Sequence, residues 1–88
     1  MQRIKFNQGE SRYVRILIKS SSEEAFVIRN ASWELALKYQ VEADGPCRID
    51  GHIIGAFITP IQKGVYKLKI NYEIADELLI EVIEVVVD

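Results

Sequence analysis

One cysteine, one histidine and two prolines in 88 residues rule out several kinds of protein at the outset. With Cys47 alone no disulfide can form within the chain, unlike small secreted scaffolds stapled by several bridges. The fold must stand on packing. A closed zinc site normally draws four Cys or His ligands, often as CxxC or HxxxH pairs, and Cys47 with His52 falls short of that. No G-x-S-x-G turn and no glycine-rich phosphate loop is present. No run of 18 apolar residues appears, and Met1 to Asn7 lacks the apolar stretch of a signal peptide. The expectation is a protein made in the cytoplasm, without a secretion signal and without a membrane span.

A dominant charge is missing too. Eleven Lys and Arg against thirteen Asp and Glu leave a net −2, which gives no electrostatic footprint for nucleic acid. Residues 1–40 carry +3 and residues 41–88 carry −5. In a folded sheet the two halves interleave, so this reads as scattered surface charge. What is present is apolar: 49% hydrophobic residues with 27% charged, a globular composition with a packed core. Eighty-eight residues allow a single domain, 1–88. Such a domain buries only about 60–65% of its unfolded surface, so partners that cover more of it would add stability.

The period of the pattern is two. Tyr66, Leu68, Ile70, Tyr72 and Ile74 alternate with Val65, Lys67, Lys69, Asn71 and Glu73, the signature of a half-buried strand. Ile4 and Phe6 alternate with Arg3 and Lys5, and the turn Asn7-Gln8-Gly9-Glu10 leads to Arg12–Lys19, where Val14, Ile16 and Ile18 face inward. Two strands joined by a glycine turn predict a hairpin. Residues 20–24 read as a loop, after which Phe26 and Ile28 resume an extended segment. Residues 31–40 place Trp33, Leu35, Leu37 and Tyr39 on one face of a strand. A helix there, capped by Ser32 and carrying the Glu34/Lys38 pair, would scatter those apolar side chains around its cylinder. Asp44-Gly45-Pro46 and Asp50-Gly51 are breaks around a short strand at Cys47–Ile49. His52 to Thr59 is apolar throughout and reads as a strand covered on both faces. Ala75-Asp76-Glu77 is a tight turn into Leu78–Val87, whose imperfect alternation predicts a bulge or double cover.

About seven short strands with turn signals every 8–12 residues predict an all-β fold, an antiparallel immunoglobulin-like β-sandwich. Gly64-x-Tyr66-x-Leu68 stands where such a domain places its tyrosine corner, and Trp33 stands where it buries a tryptophan. Ile16 and Leu68 would take the places of the usual cysteine pair, and Trp33, Tyr66 and Leu68 would share the core.

Few residues offer chemistry. Asp44, Cys47, Asp50 and His52 form one mixed cluster, better explained as turn and strand residues than as metal ligands. The acid pairs Glu23-Glu24 and Asp76-Glu77 fall in loops, where solvated charge is the ordinary state. Asn30-Ala31-Ser32 matches a glycosylation sequon that has no function without secretion. Arg12, Arg15 and Lys19, with Tyr13 interleaved, form a basic stripe too small for phosphate binding and read as a solvated sheet face.

Ala31-Ser32-Trp33-Glu34-Leu35, Gly45-Pro46-Cys47-Arg48-Ile49-Asp50, Thr59-Pro60, Gly64-x-Tyr66-x-Leu68 and Tyr72-Glu73-Ile74-Ala75-Asp76-Glu77 together resemble short immunoglobulin-like proteins of phage and prophage structural regions. The likeness spans residues 26–87 and is a pattern of turns and core positions. It implies a virion- or tail-associated piece that binds other proteins, with no catalytic residue to carry over. The functional expectation is therefore a non-enzymatic structural or protein-interaction module with no cofactor and no nucleic acid or membrane partner. The alternative is a small regulatory or inhibitor protein acting through Glu73, Asp76, Glu77, Glu81 and Glu84. Because the last strand is apolar on both faces, assembly with a protein partner, in its simplest form a second copy, is expected there. The candidate interface is Leu79, Glu81, Ile83, Val85 and Val87.

Overall fold

The alternating segments become eight strands: β1 Gln2–Phe6, β2 Arg12–Leu17, β3 Ile28–Leu37, β4 Gln40–Pro46, β5 Arg48–Asp50, β6 Ile53–Ile58, β7 Gly64–Ile74 and β8 Glu77–Val87. The computed structural model describes residues 2–19 and 25–88, and the loop expected at residues 20–24, with its Glu23-Glu24 pair, lies outside the described residues. There is no helix among the described residues. Two sheets face each other, a five-stranded one ordered β1-β8-β7-β3-β4 and a three-stranded one ordered β2-β6-β5.

Every pairing is antiparallel except one. β1 runs parallel to β8, from Gln2 opposite Ile83 to Phe6 opposite Val87. The expected hairpin between the first two strands therefore does not form. The Asn7–Glu10 turn is present, with Gly9 at φ 85° and Glu10 N–H donating to the Asn7 carbonyl at 3.1 Å. It carries the chain across to the other sheet instead of back along β1. Backbone bonds from Asp88 N–H to Phe6 O (3.1 Å) and from Gln8 N–H to Asp88 O (3.0 Å) fasten β1 to the end of β8. The sheet is thus mixed, and the strands number eight where about seven were expected.

The extra strand is β4. Residues 31–37 are extended as expected, but the chain reverses at Lys38-Tyr39, inside the expected strand, and pairs back from Gln40 opposite Leu37 to Pro46 opposite Ser32, so that Asp44-Gly45-Pro46, expected as a break, lies within β4. Both turn residues adopt left-handed φ, 50° and 68°, which Asn and Gly ordinarily supply in a two-residue hairpin.

The core is the row that β7 turns inward. Tyr66, Leu68, Ile70 and Tyr72 are buried, and opposite them stand Leu35 on β3 and Ile83 and Val85 on β8. Val14, Ile16, Ile54, Ala56 and Ile58 close the layer from the small sheet. Ile16 and Leu68 both belong to this cluster. Trp33 lies on the inner face but is only half-buried, because it flanks edge strand β4 and rests over Gly45. A Cβ at Gly45 would come within 3.2 Å of the indole nitrogen, so the glycine makes the seat for the ring. The deepest residue of β3 is Leu35, a step further along.

Tyr66 also carries a polar node. Its hydroxyl accepts from Gln62 N–H at 3.0 Å and donates to Glu42 Oε1 at 2.6 Å. Glu42 in turn accepts from Ile61 N–H and from the Gln62 amide, both at 3.3 Å. One tyrosine thus ties the corner before β7 to edge strand β4. Burial raises the Tyr66 hydroxyl pKa, and the bond to Glu42 adds to it. Burial likewise raises Tyr72, with Glu81 adding to it.

Tyr66→Phe removes the acceptor of Gln62 N–H and a donor to Glu42, and is expected to cost about 1–3 kcal/mol in urea melts. A double-mutant cycle with Glu42→Gln should return a coupling of about 0.5–3 kcal/mol. Alkaline pH acts on the same groups. Above the ordinary tyrosine value of 10.0 the unfolded chain loses protons that the native state keeps. Stability is then full below about pH 10 and falls above it, by up to about 1.4 kcal/mol per pH unit for each tyrosine. The Tyr66→Phe, Tyr72→Phe variant should show a shallower decline.

Candidate interaction surface

A two-layer sandwich covers one face of each sheet and leaves the other to water. Both outer faces carry exposed aliphatic side chains, and they differ in their charged and aromatic residues. On the large sheet Lys67 lies opposite Glu84, Lys69 opposite Glu34, and Arg3 reaches Glu84 at 2.5 Å. Opposite charges at facing positions make an ordinary solvated ladder. On the same face Val65, Leu78 and Ile80 are 51%, 63% and 54% exposed, while Val82 and Val86 are half-buried beside Lys69 and Lys5. Long lysine stems supply such cover while their ammonium groups stay wet.

The small sheet has no such ladder. Its outer face presents Tyr13, Arg15 and Leu17 from β2, Ile53, Gly55 and Phe57 from β6, and Arg48 and Asp50 from β5. Register sets the rows: Tyr13 faces Phe57, Arg15 and Arg48 flank Gly55, and Leu17 faces Ile53 with Asp50 beyond it. The Tyr13 and Phe57 rings sit 5.0 Å apart at 58°, a favourable tilted geometry, and the Arg15 guanidinium lies 4.9 Å from the Tyr13 ring centre. Tyr13, Leu17, Ile53 and Phe57 are 38%, 59%, 39% and 49% exposed. A depression of about 240 Å³ opens between Tyr13, Arg15, Arg48, Asp50 and Ile53, with Gly55 as its floor. A Cβ at Gly55 would meet Tyr13 Cδ1 at 3.3 Å, so the absent side chain both seats the ring and keeps the hollow open.

The residues expected as an interface on the last strand do not form one exposed surface. Ile83, Val85 and Val87 are core residues facing the second sheet, Leu79 packs against the same core at its end, and only Glu81 of the five is exposed. The side of β8 that faces outward is Leu78, Ile80, Val82, Glu84 and Val86. Nor is β8 an edge: it lies between β1 and β7, and its ladder to β7 runs unbroken from Glu77 to Val87 without a bulge. The strand expected to be covered on both faces, His52 to Thr59, has Ile53 and Phe57 open to solvent.

The remaining sequence candidates are dispersed. Cys47 is half-buried, and burial raises its thiol pKa to about 11, so it stays protonated and a poor nucleophile or metal ligand at neutral pH. His52 stacks on Phe26, ring centres 4.0 Å apart, with Nε2 3.2 Å from the Phe26 carbonyl. Asp44 and Asp50 are exposed on different strands, and no metal-holding group of His, Cys, Asp and Glu forms among the described residues. Asn30, of the sequon, donates to Glu73 at 2.8 Å. Of the acids considered for a regulatory surface, Glu73 and Glu84 are thus engaged within the fold, while Asp76, Glu77 and Glu81 are exposed. Within the basic stripe, Arg12 lies over Phe6 at 4.2 Å and pairs with Glu10 at 3.4 Å.

Comparison with protein-family models and with curated proteins gives no match. Among solved structures, a crystal structure of an engineered protein, determined at 1.98 Å, aligns over 99% of this chain with a TM-score of 0.74 and 17% sequence identity. The chain spans 18% of that protein's length. At that identity the likeness is one of fold, an all-β sandwich of two sheets.

Proposed function

We propose that the chain is a non-enzymatic protein-interaction module with an immunoglobulin-like sandwich, working through the outer face of β2, β6 and β5. The observation that carries this reading is that exposed face, where aromatic, aliphatic and arginine side chains stand together without the charge ladder of the other sheet. Tyr, Phe and Arg are the residue types enriched at protein interfaces and their hot spots. Apolar side chains left this exposed cost solubility, a cost that binding would offset.

Three features support the immunoglobulin-like type. The orders β2-β6-β5 and β8-β7-β3-β4 correspond to the B-E-D and G-F-C-C′ strands of such domains, with β1 laid parallel to the last strand. Tyr66 at the start of β7 binds back to the Gln62 backbone, as a tyrosine corner does. Trp33 occupies the third strand. The resemblance of residues 26–87 adds a setting, a structural protein of a phage or prophage particle.

If the face serves binding, its residues are dispensable for folding. Leu17→Thr, Ile53→Thr and Phe57→Thr should each change stability in urea melts by no more than about 0.5 kcal/mol, the range of surface substitutions. A loss of about 2 kcal/mol or more at two of the three positions would mean that the cluster is part of the folding core, and the reading would fail.

A further inference from the structure

We propose that the hollow over Gly55 receives the β7–β8 hairpin tip of a second copy of this chain, with Asp76 seated between Arg15 and Arg48, so that copies join head to tail. This rests on the interaction reading above and names the partner.

The receiving half is defined by register. Arg15 and Arg48 stand on opposite flanks of the one position in the row that has no side chain. Two guanidinium groups on either side of an open floor make a clamp for a carboxylate, because each can offer paired N–H donors to it. Among the described residues the ion pairs are Arg3 with Glu84, Lys5 with Asp88 and Arg12 with Glu10. Arg15 and Arg48 belong to none of them, although Asp50 lines the same hollow.

The inserted half is the far end of the longest hairpin. β7 and β8 are eleven residues each, against three to six in the small sheet, and the molecule is drawn out to 41 Å against 21 and 19 Å. Residues Ala75 to Leu78, with Ile80 and Glu81, are exposed there. The two-residue turn puts Asp76 at the apex beside Ala75, which holds φ 53°, and Arg29 steadies it by donating to the Ala75 carbonyl at 3.4 Å. Behind the acids Asp76 and Glu77 stand Leu78 and Ile80, 63% and 54% exposed. An acidic apex with aliphatic shoulders complements a basic hollow with an aromatic and aliphatic rim.

Each copy carries both halves on different sheets, so the contact joins unlike surfaces and propagates as a chain or closes as a ring. A three-stranded face measures roughly 15 by 20 Å from strand spacing and rise. That is well below the roughly 800 Å² per partner of a stable complex, so association is weak and shows only in concentrated protein.

The test is sedimentation equilibrium of the 88-residue chain from about 20 µM to about 1 mM at low salt, where weak contacts register and charges are least screened. Wild-type average mass should rise with concentration and return to monomer in about 0.5 M salt. Arg15→Glu with Arg48→Glu, and Asp76→Lys with Glu77→Lys, should each stay monomeric, while an equimolar mixture of the two variants associates again. Arg15→Gln with Arg48→Gln serves the same purpose should reversal disturb the fold, which circular dichroism reads. A monomeric wild type, association undiminished in either variant, or a mixture that stays monomeric overturns the proposal. A monomeric wild type whose Leu17, Ile53 and Phe57 variants keep their stability removes only the second copy as occupant. Loss of stability in those variants removes the interaction reading itself.

Discussion

The inward row of β7, Tyr66, Leu68, Ile70 and Tyr72, is the contact on which the other elements are organised. β3 and β8 pair with it on either side, and the small sheet closes over the layer it forms. Tyr66 adds a polar tie at one end, reaching through its hydroxyl to Glu42 on the edge strand and to the backbone before β7. Once that row points inward, register assigns an inside and an outside to every residue of the neighbouring strands. Two layers then protect two faces, and the remaining two must be suited to water or to something else.

The large sheet meets water with facing charges and lysine stems, and with Val65, Leu78 and Ile80 exposed among them. The small sheet meets it with Tyr13, Phe57, Leu17 and Ile53 around two arginines and a glycine. The proposed interaction rests on the aromatic and arginine side chains of the small sheet. Cys47, held protonated by burial, and His52, stacked on Phe26, are both engaged in packing.

Strand content was legible because period two marks a strand directly, and β7 is written in the sequence as it stands in the fold. Turns were legible at Asn7–Glu10 and Asp50-Gly51, but the same glycine and Asx signal at Asp44-Gly45-Pro46 marked residues that pair within β4, where Gly45 seats Trp33. The β3–β4 turn was not legible, because Lys38 and Tyr39 adopt left-handed backbone without either signal. Partners were harder than strands: a turn shows that the chain reverses, not which layer it returns to, and β1 crossed to the other sheet. The same gap placed buried residues of β8 in the candidate interface. β8 and the 52–59 segment are both apolar on two faces, and sequence alone does not say which face is buried or what lies beside it. For β8 the Lys5 and Lys69 stems come from neighbouring strands, whereas Ile53 and Phe57 have only β2 and the three-residue β5 beside them.

The central claim is that the small sheet's outer face is the working surface and the charged ladder of the large sheet is not. Amide chemical shifts followed by nuclear magnetic resonance along a dilution series, from about 1 mM to about 20 µM, test it residue by residue. The account predicts concentration-dependent shifts at Tyr13, Arg15, Arg48, Gly55 and Phe57 and at the Ala75-Asp76 turn, with Arg3, Glu34, Lys67, Lys69 and Glu84 unmoved. Shifts concentrated on the charged ladder of the large sheet, with the small sheet unmoved, would contradict it.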